Sequence, residues 1–211
     1  MIAIVDYGMG NLRSAQKGIE KSGHEAVVTD DPELISSADA VVLPGVGAFK
    51  DCYDGLDARG LVRPVIEAAQ SGRPFLGICV GLQLMFESSE EGGHETRGLG
   101  ILPGRVIRFP AASKTGLKVP HMGWNQLFLT PERYCPLLQG IERDPYVYFV
   151  HSYYAQPSDP DIILATCQYG VEFAAIVGRD NVFAVQFHPE KSQTDGIKIL
   201  QSFGNLVGRK I

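Results

Sequence analysis

The sequence predicts an α/β fold: a mostly parallel central sheet flanked by helices, with an added antiparallel ribbon. Three observations point to it. Up to about Ser88, short apolar runs alternate with helical patterns in the order βαβαβαβα, which places a parallel sheet between layers of helices. Past Gly92-Gly93, strand-like segments follow one another, several through short turns, the pattern of antiparallel hairpins. A length of 211 residues suits a single domain, 1–211, with a sizeable core.

Each element has a local reason. Ile2–Val5 is a short apolar run that ends in Asp6 and a loop, Tyr7-Gly8-Met9-Gly10-Asn11. Leu12, Ala15 and Ile19 mark one face of a helix to about Ser22, stopped by Gly23. A strand at Ala26–Thr29 precedes Asp31-Pro32-Glu33, which reads as N-cap, first-position proline and first-turn acid of a short helix. Ala40–Leu43 is a third strand, stopped by Pro44-Gly45-Val46-Gly47. Helical patterns at Phe49–Asp57 and Leu61–Ser71 lead to a strand at Phe75–Ile78 and a helix from Val80 to about Ser88. Strands are then expected at Arg105–Phe109, Gln126–Thr130, Tyr146–Tyr154, Ile162–Cys167, Phe173–Val177 and Val182–Gln186. Ile197, Leu200, Phe203 and Leu206 space out a closing amphipathic helix over Ser192–Val207.

Composition narrows the function. Apolar residues make up 45% and charged residues 20%, as in ordinary globular proteins. A net charge of −5 without a dense Lys/Arg run argues against nucleic acid. No apolar stretch reaches the ~18–20 residues of a membrane span, and MIAIVDYG opens as a strand without the basic start of a secretory signal. The four cysteines, Cys52, Cys79, Cys135 and Cys167, are scattered, which fits free thiols in a reducing, cytoplasmic compartment.

One cysteine stands apart. Gly77-Ile78-Cys79-Val80-Gly81 has the G-x-nucleophile-x-G layout of a strand-to-helix elbow, with cysteine at the centre. The glycines leave room for a strained turn, and the helix N-terminus favours thiolate over thiol. A nucleophilic thiol needs a base, and His188 in Phe187-His188-Pro189-Glu190 ends a strand where one would serve. Pro189 biases His188 toward extended backbone, which would set Glu190 on the same side to orient the imidazole. Pro44–Gly47 is the candidate oxyanion hole, with the Val80 amide as a second donor. Read alone, the same four residues are a plain turn after a strand.

Competing constellations are weaker. Gly8-x-Gly10 lacks the third glycine of a dinucleotide fingerprint. His121 and His151 have no partner at metal-ligand spacing, so no metal is expected. His121 lies in a loop-like stretch, His151 reads as a packed residue, and His24 and His94 read as solvated turn residues. Cys52, Cys135 and Cys167 default to small buried hydrophobes. Glu90-Glu91 is either a solvated pair or the holder of a substrate ammonium group.

Pro44–Gly47, Gly77–Gln83 and Phe187–Glu190, in that order, together resemble the class I, triad-type glutamine amidotransferases. Asp6–Leu12, Pro120–Asn125 and Tyr148–Tyr153 narrow the resemblance to the glutaminase subunits of imidazole glycerol phosphate synthases. It covers essentially the whole chain. It implies glutamine hydrolysis through a thioester on Cys79, with His188 and Glu190 completing a triad and Val46, Gly47 and Val80 at the oxyanion. It further implies that Gly45, Gln83, Glu91 and backbone near His151, Ser152 and Tyr153 hold glutamine, without a cofactor. The implied partner is a (β/α)8-barrel cyclase that receives the ammonia. Asn11, His121, Met122, Trp124 and Lys191 are expected on the partner side, since aromatic and Met residues are enriched in interfaces. Ordinary core packing is the alternative for Trp124. Other readings left open are an amidotransferase for another synthase, a non-catalytic subunit of the same fold, and an unrelated thiol hydrolase.

Overall fold

The computed structural model describes residues 1–93, 95–130, 133–141 and 145–208. The predicted turn histidine His94 lies outside them. The first half alternates as expected: β1 Ile2–Val5, α1 Leu12–Lys21, β2 Ala26–Thr29, α2 Pro32–Ser37, β3 Ala40–Gly45, α3 Phe49–Ala58, α4 Val62–Gln70, β4 Phe75–Cys79 and α5 Val80–Leu84. Asp31 caps α2 by accepting from the Glu33 amide, with Pro32 at its first position.

The second half supplies β5 Ser88–Ser89, β6 Thr96–Arg97, β7 Gly104–Arg108, a short α6 Ala112–Thr115, β8 His121–Leu129, β9 Tyr146–His151, β10 Tyr153–Pro157, β11 Ile163–Gln168, β12 Glu172–Arg179, β13 Val182–Val185 and α7 Gln193–Gly204. The large sheet runs β2-β1-β3-β4-β13-β12-β11-β8-β9. It is parallel from β2 through β13 and antiparallel from β13 to β9. The antiparallel ribbon thus continues the parallel half as one surface. A smaller sheet, ordered β10-β7-β5-β6, adds a second layer.

The central strands β1, β3, β4 and β13 are buried along their whole length, as strands covered on both faces must be. Their carboxyl ends share one edge, where Gly45 stands beside Cys79 in register and Val185 beside Ile78. The loops after β1, β3, β4 and β13 therefore converge, the place where open parallel sheets put their chemistry.

Four local expectations differ. The helix after the elbow stops at Leu84 rather than near Ser88. Its last carbonyls are taken by another segment: Leu99 donates to Leu84 O at 2.8 Å, Gly100 to Phe86 O at 3.1 Å, and Ile101 and Leu102 to Met85 O at 2.8 and 2.9 Å. Tyr146–Tyr154 is two strands, because the chain leaves the large sheet at Ser152 and joins the small one. His121 opens β8 instead of lying in a loop, and is only 3% exposed. His24 is half-buried rather than solvated, against Gly204 of α7.

Candidate active site

Cys79 is both the last residue of β4 and the residue preceding α5, with φ 56° and ψ −110°. A non-glycine residue at positive φ is strained by about 1–3 kcal/mol, and the surroundings must impose it. The flanking glycines make the turn possible. A Cβ at Gly77 would sit 2.9 Å from Gly81 O, and one at Gly81 would overlap the Leu43 carbonyl oxygen. The first-turn amides of α5, next in the chain to Cys79, have no acceptor within the helix.

His188 and Glu190 are almost fully buried, with side chains 2% and 3% exposed. The imidazole Nδ1 lies 2.9 Å from Glu190 Oε1. The geometry differs from the expected extended run, since Pro189–Lys191 forms a 3-10 turn after an extended His188. Proline starts that turn, and the carboxylate reaches the ring by folding back. Backbone bonds fix the histidine: its amide donates to Tyr148 O at 2.9 Å, and Ser192 Oγ donates to His188 O at 2.7 Å. From the other side α1 packs on the stem of Glu190, where a Cβ at Gly18 would lie 2.8 Å from Leu200 Cδ1 and 3.2 Å from Glu190 Cβ.

With Nδ1 engaged by a carboxylate acceptor, the ring's open nitrogen is Nε2, buried and without a hydrogen bond. Burial disfavours the imidazolium, but the Cys79 sulfur and the Glu190 carboxylate outweigh it and hold the His188 pKa above the ordinary histidine value. That nitrogen is placed to exchange a proton in the cavity it shares with Cys79.

The cavity, of about 440 Å³, brings together most of the residues expected from sequence. Cys79, His188, Val46, Gly47, Val80, Gln83, Glu91, His151, Ser152, Tyr153 and Lys191 all line it. Gly45 does not line it but packs against the elbow, where its Cβ would lie 2.7 Å from Gly81 N. Glu190 stands behind His188. Glu91 accepts from the Phe49 amide at 2.7 Å, so its carboxylate is fixed at the start of α3, whereas Glu90 accepts from the exposed-side Arg108 amide.

Gln186 was not singled out in the sequence. It is fully buried, accepts from Gln83 Nε2 at 3.2 Å, and directs its own Nε2 toward Cys79 Sγ at 3.9 Å. A polar residue at the end of the apolar run Val182–Val185, two before His188 and so on its face, was the available signal. Gln83 Nε2 also donates to Tyr153 O at 3.0 Å.

The expected partner residues divide. Met122 and Trp124 are 66% and 46% exposed, and share a face of β8 and β9 with Tyr146, 57% exposed. Trp124 meets Tyr148 edge-on at 6.1 Å, and the Lys191 ammonium lies 6.0 Å from the Tyr148 ring centre. Asn11 precedes α1 and is half-buried outside the cavity. His121 departs from the expectation, because strand alternation turns it to the inner face. There Nδ1 lies 3.0 Å from His151 Nε2, and His151 Nδ1 lies 2.8 Å from Tyr153 O. Since a carbonyl only accepts, His151 carries its proton on Nδ1 and accepts from His121. Burial lowers the His121 pKa to about 4 and that of His151 to about 3, so both are neutral.

Among the described residues no cluster of His, Cys, Asp or Glu could hold a metal ion, and no helix is long and apolar enough to cross a membrane.

Comparison with known proteins agrees with this architecture. The family model "Glutamine amidotransferase class-I" matches residues 3–205. The chain is 57% identical to the imidazole glycerol phosphate synthase subunit HisH of Syntrophotalea carbinolica, over 98% of this chain and 100% of that one. It is 55% identical to the HisH of Geobacter sulfurreducens, over 97% of this chain and 98% of that one. Among solved structures, a glutamine amidotransferase shares the fold at TM-score 0.74 and 20% identity, covering 99% of this chain and 100% of that one. PurLQS from Thermotoga maritima shares it at TM-score 0.74 and 22% identity, covering 97% of both chains. With a cysteine elbow, a buried His–Glu pair and this likeness along nearly its whole length, the chain belongs to the class I glutamine amidotransferases, in the HisH family of imidazole glycerol phosphate synthase subunits.

Proposed function

We propose that this chain acts as one domain, 1–211, and hydrolyses the side-chain amide of glutamine through a thioester on Cys79. The observation that carries the reading is His188, its Nδ1 held by Glu190 and its Nε2 open in the cavity that contains Cys79. The Cys79 thiolate attacks the amide carbon, and the oxyanion meets backbone amides at Val46 or Gly47 and at Val80. Imidazolium gives its proton to the leaving nitrogen as the C–N bond breaks, releasing ammonia and leaving the glutamyl thioester. His188 then takes a proton from water as its oxygen attacks the thioester, and glutamate leaves with the thiolate restored. Glu91 faces the substrate's ammonium group, Gln83 and the 151–153 backbone shape the rest of the pocket, and Gly45 supports it from behind the elbow. No cofactor takes part.

The ammonia passes to a (β/α)8-barrel cyclase. There it yields imidazole glycerol phosphate and aminoimidazole carboxamide ribotide in histidine biosynthesis, in the cytoplasm. Support comes from relatives named as synthase subunits and from the exposed Met122, Trp124 and Tyr146 face, which continues through Val150 to the cavity rim. Asn11 and Lys191 lie toward the same partner, and Lys191 is free to meet an acidic group. All four cysteines are unpaired and buried, as a reducing compartment requires. Partner binding at this rim would favour the competent setting of the Val46 amide.

Glutamate release, measured with and without the cyclase and its nucleotide ligand, tests the reading. A rise of about 5- to 150-fold with both, abolished by Cys79→Ser, is expected from a coupling of about 1–3 kcal/mol. Release that ignores the partner, or survives Cys79→Ser, overturns it.

A further inference from the structure

Two buried side chains outside the cavity hold the strand that borders it. Tyr7, fully buried just after β1, donates its hydroxyl to Pro44 O at 2.6 Å. Cys52, fully buried on α3, donates its thiol to Val46 O at 3.3 Å. The two carbonyls sit on either side of Gly45. Tyr7 is itself wedged: a Cβ at Gly45 would lie 2.9 Å from its hydroxyl, and one at Gly55 would lie 2.8 Å from its carbonyl oxygen and 3.2 Å from its ring.

Both donors hold their protons. Burial pushes the Tyr7 hydroxyl well above its ordinary value and the Cys52 thiol up to about 11. In a trans peptide the N–H points opposite to the C=O. Tying Pro44 O therefore sets the direction of the Gly45 amide, and tying Val46 O sets that of Gly47. The Val46 amide lies between these two fixed peptides and has no backbone acceptor among the described residues.

We propose that Tyr7 and Cys52 are positioning residues that clamp the Pro44 and Val46 carbonyls, so that the Gly45 and Gly47 amides keep one orientation beside Cys79 and only the Val46 peptide between them is left to turn toward the developing oxyanion. This rests on the glutaminase reading above. Neither residue lines the cavity, so neither touches substrate. The clamp explains why a cysteine and a tyrosine occupy sites where an apolar residue of similar size would fill the same space.

The test compares Tyr7→Phe, Cys52→Ala and Cys52→Ser in the full chain assembled with the cyclase and its nucleotide ligand. Three readouts are taken: kcat, KM for glutamine, and the rate at which iodoacetamide alkylates Cys79. Loss of one neutral hydrogen bond predicts a fall in kcat of about 5- to 10-fold for Tyr7→Phe and for Cys52→Ala. KM and alkylation stay within about 2-fold of the parent, and Cys52→Ser, which keeps a donor, retains activity. Parent-like kcat in both donor-less variants overturns the clamp. So does a Cys52→Ser variant as impaired as Cys52→Ala, or a loss in which KM and alkylation move with kcat, since those report packing. Should Tyr7→Phe fail to fold, the Cys52 pair decides alone. A parent protein that releases no glutamate, or whose release survives Cys79→Ser, fails the glutaminase reading instead.

Discussion

Gln83 donates to the side-chain oxygen of Gln186 at 3.2 Å, and this contact turns the Gln186 amide nitrogen toward the Cys79 sulfur. At 3.9 Å the N–H···S contact is long, yet it is a side-chain donor aimed at the Cys79 sulfur. Gln186→Glu keeps the acceptor for Gln83 and replaces the donor with a second acidic oxygen. A negative charge there disfavours the thiolate. Iodoacetamide labelling of Cys79 at pH 7 should be slower than in the parent.

Glu190→Gln preserves shape and removes the charge that holds the imidazolium. The amide also allows the wrong ring nitrogen to carry the proton, as carboxylate-to-amide changes do in triads. Glutamate release should fall by roughly 10²–10⁴-fold with the thermal midpoint nearly unchanged. Steady-state assay beside a thermal melt checks both.

Gly81→Ala pushes a methyl group into the Leu43 carbonyl, where β3 meets the elbow. The obstacle is backbone in a fully buried strand, so it has little freedom to yield. A loss of stability of about 1–3 kcal/mol or more is expected, together with loss of activity. Urea unfolding at pH 7 measures the first, and the m-value shows whether the folded state stays compact.

The neutral His121–His151 pair predicts an acid limb in stability. Both folded pKa values, about 4 and about 3, lie below the ordinary histidine value of 6.5. Between these limits the unfolded chain binds more protons, so stability is present above pH 6.5 and falls as pH drops. Each histidine contributes a slope approaching ~1.4 kcal/mol per pH unit. His121→Gln, able to donate to His151, should flatten the limb between pH 6 and 4. Urea midpoints across that range give the comparison.

The parallel half of the fold was legible because each strand and helix carries its own period and its own stop, as in Asp31-Pro32-Glu33. The same locality made the candidate site readable: elbow glycines and His-Pro-Glu each occupy a few adjacent residues. What stayed hidden depends on partners distant in sequence. The early end of α5 follows from carbonyls captured by residues 99–102. The break at Ser152 follows from a change of sheet. Gln186 and Cys52 looked like an ordinary strand end and a buried hydrophobe, and acquire meaning only beside Cys79 and Val46. His121 was assigned outward with Met122 and Trp124, whereas the pleat faces neighbours in opposite directions.

Gly18 lets α1 approach Glu190 until no side chain fits between them. The first helix is therefore a wall behind the His188–Glu190 pair, although it carries no residue of the candidate site. A larger residue at position 18 would lever the carboxylate off the imidazole while leaving the cysteine, the histidine and the pocket lining untouched. Random mutagenesis scored for turnover would then return inactive proteins whose lesion lies near the amino terminus, far along the chain from every reacting atom.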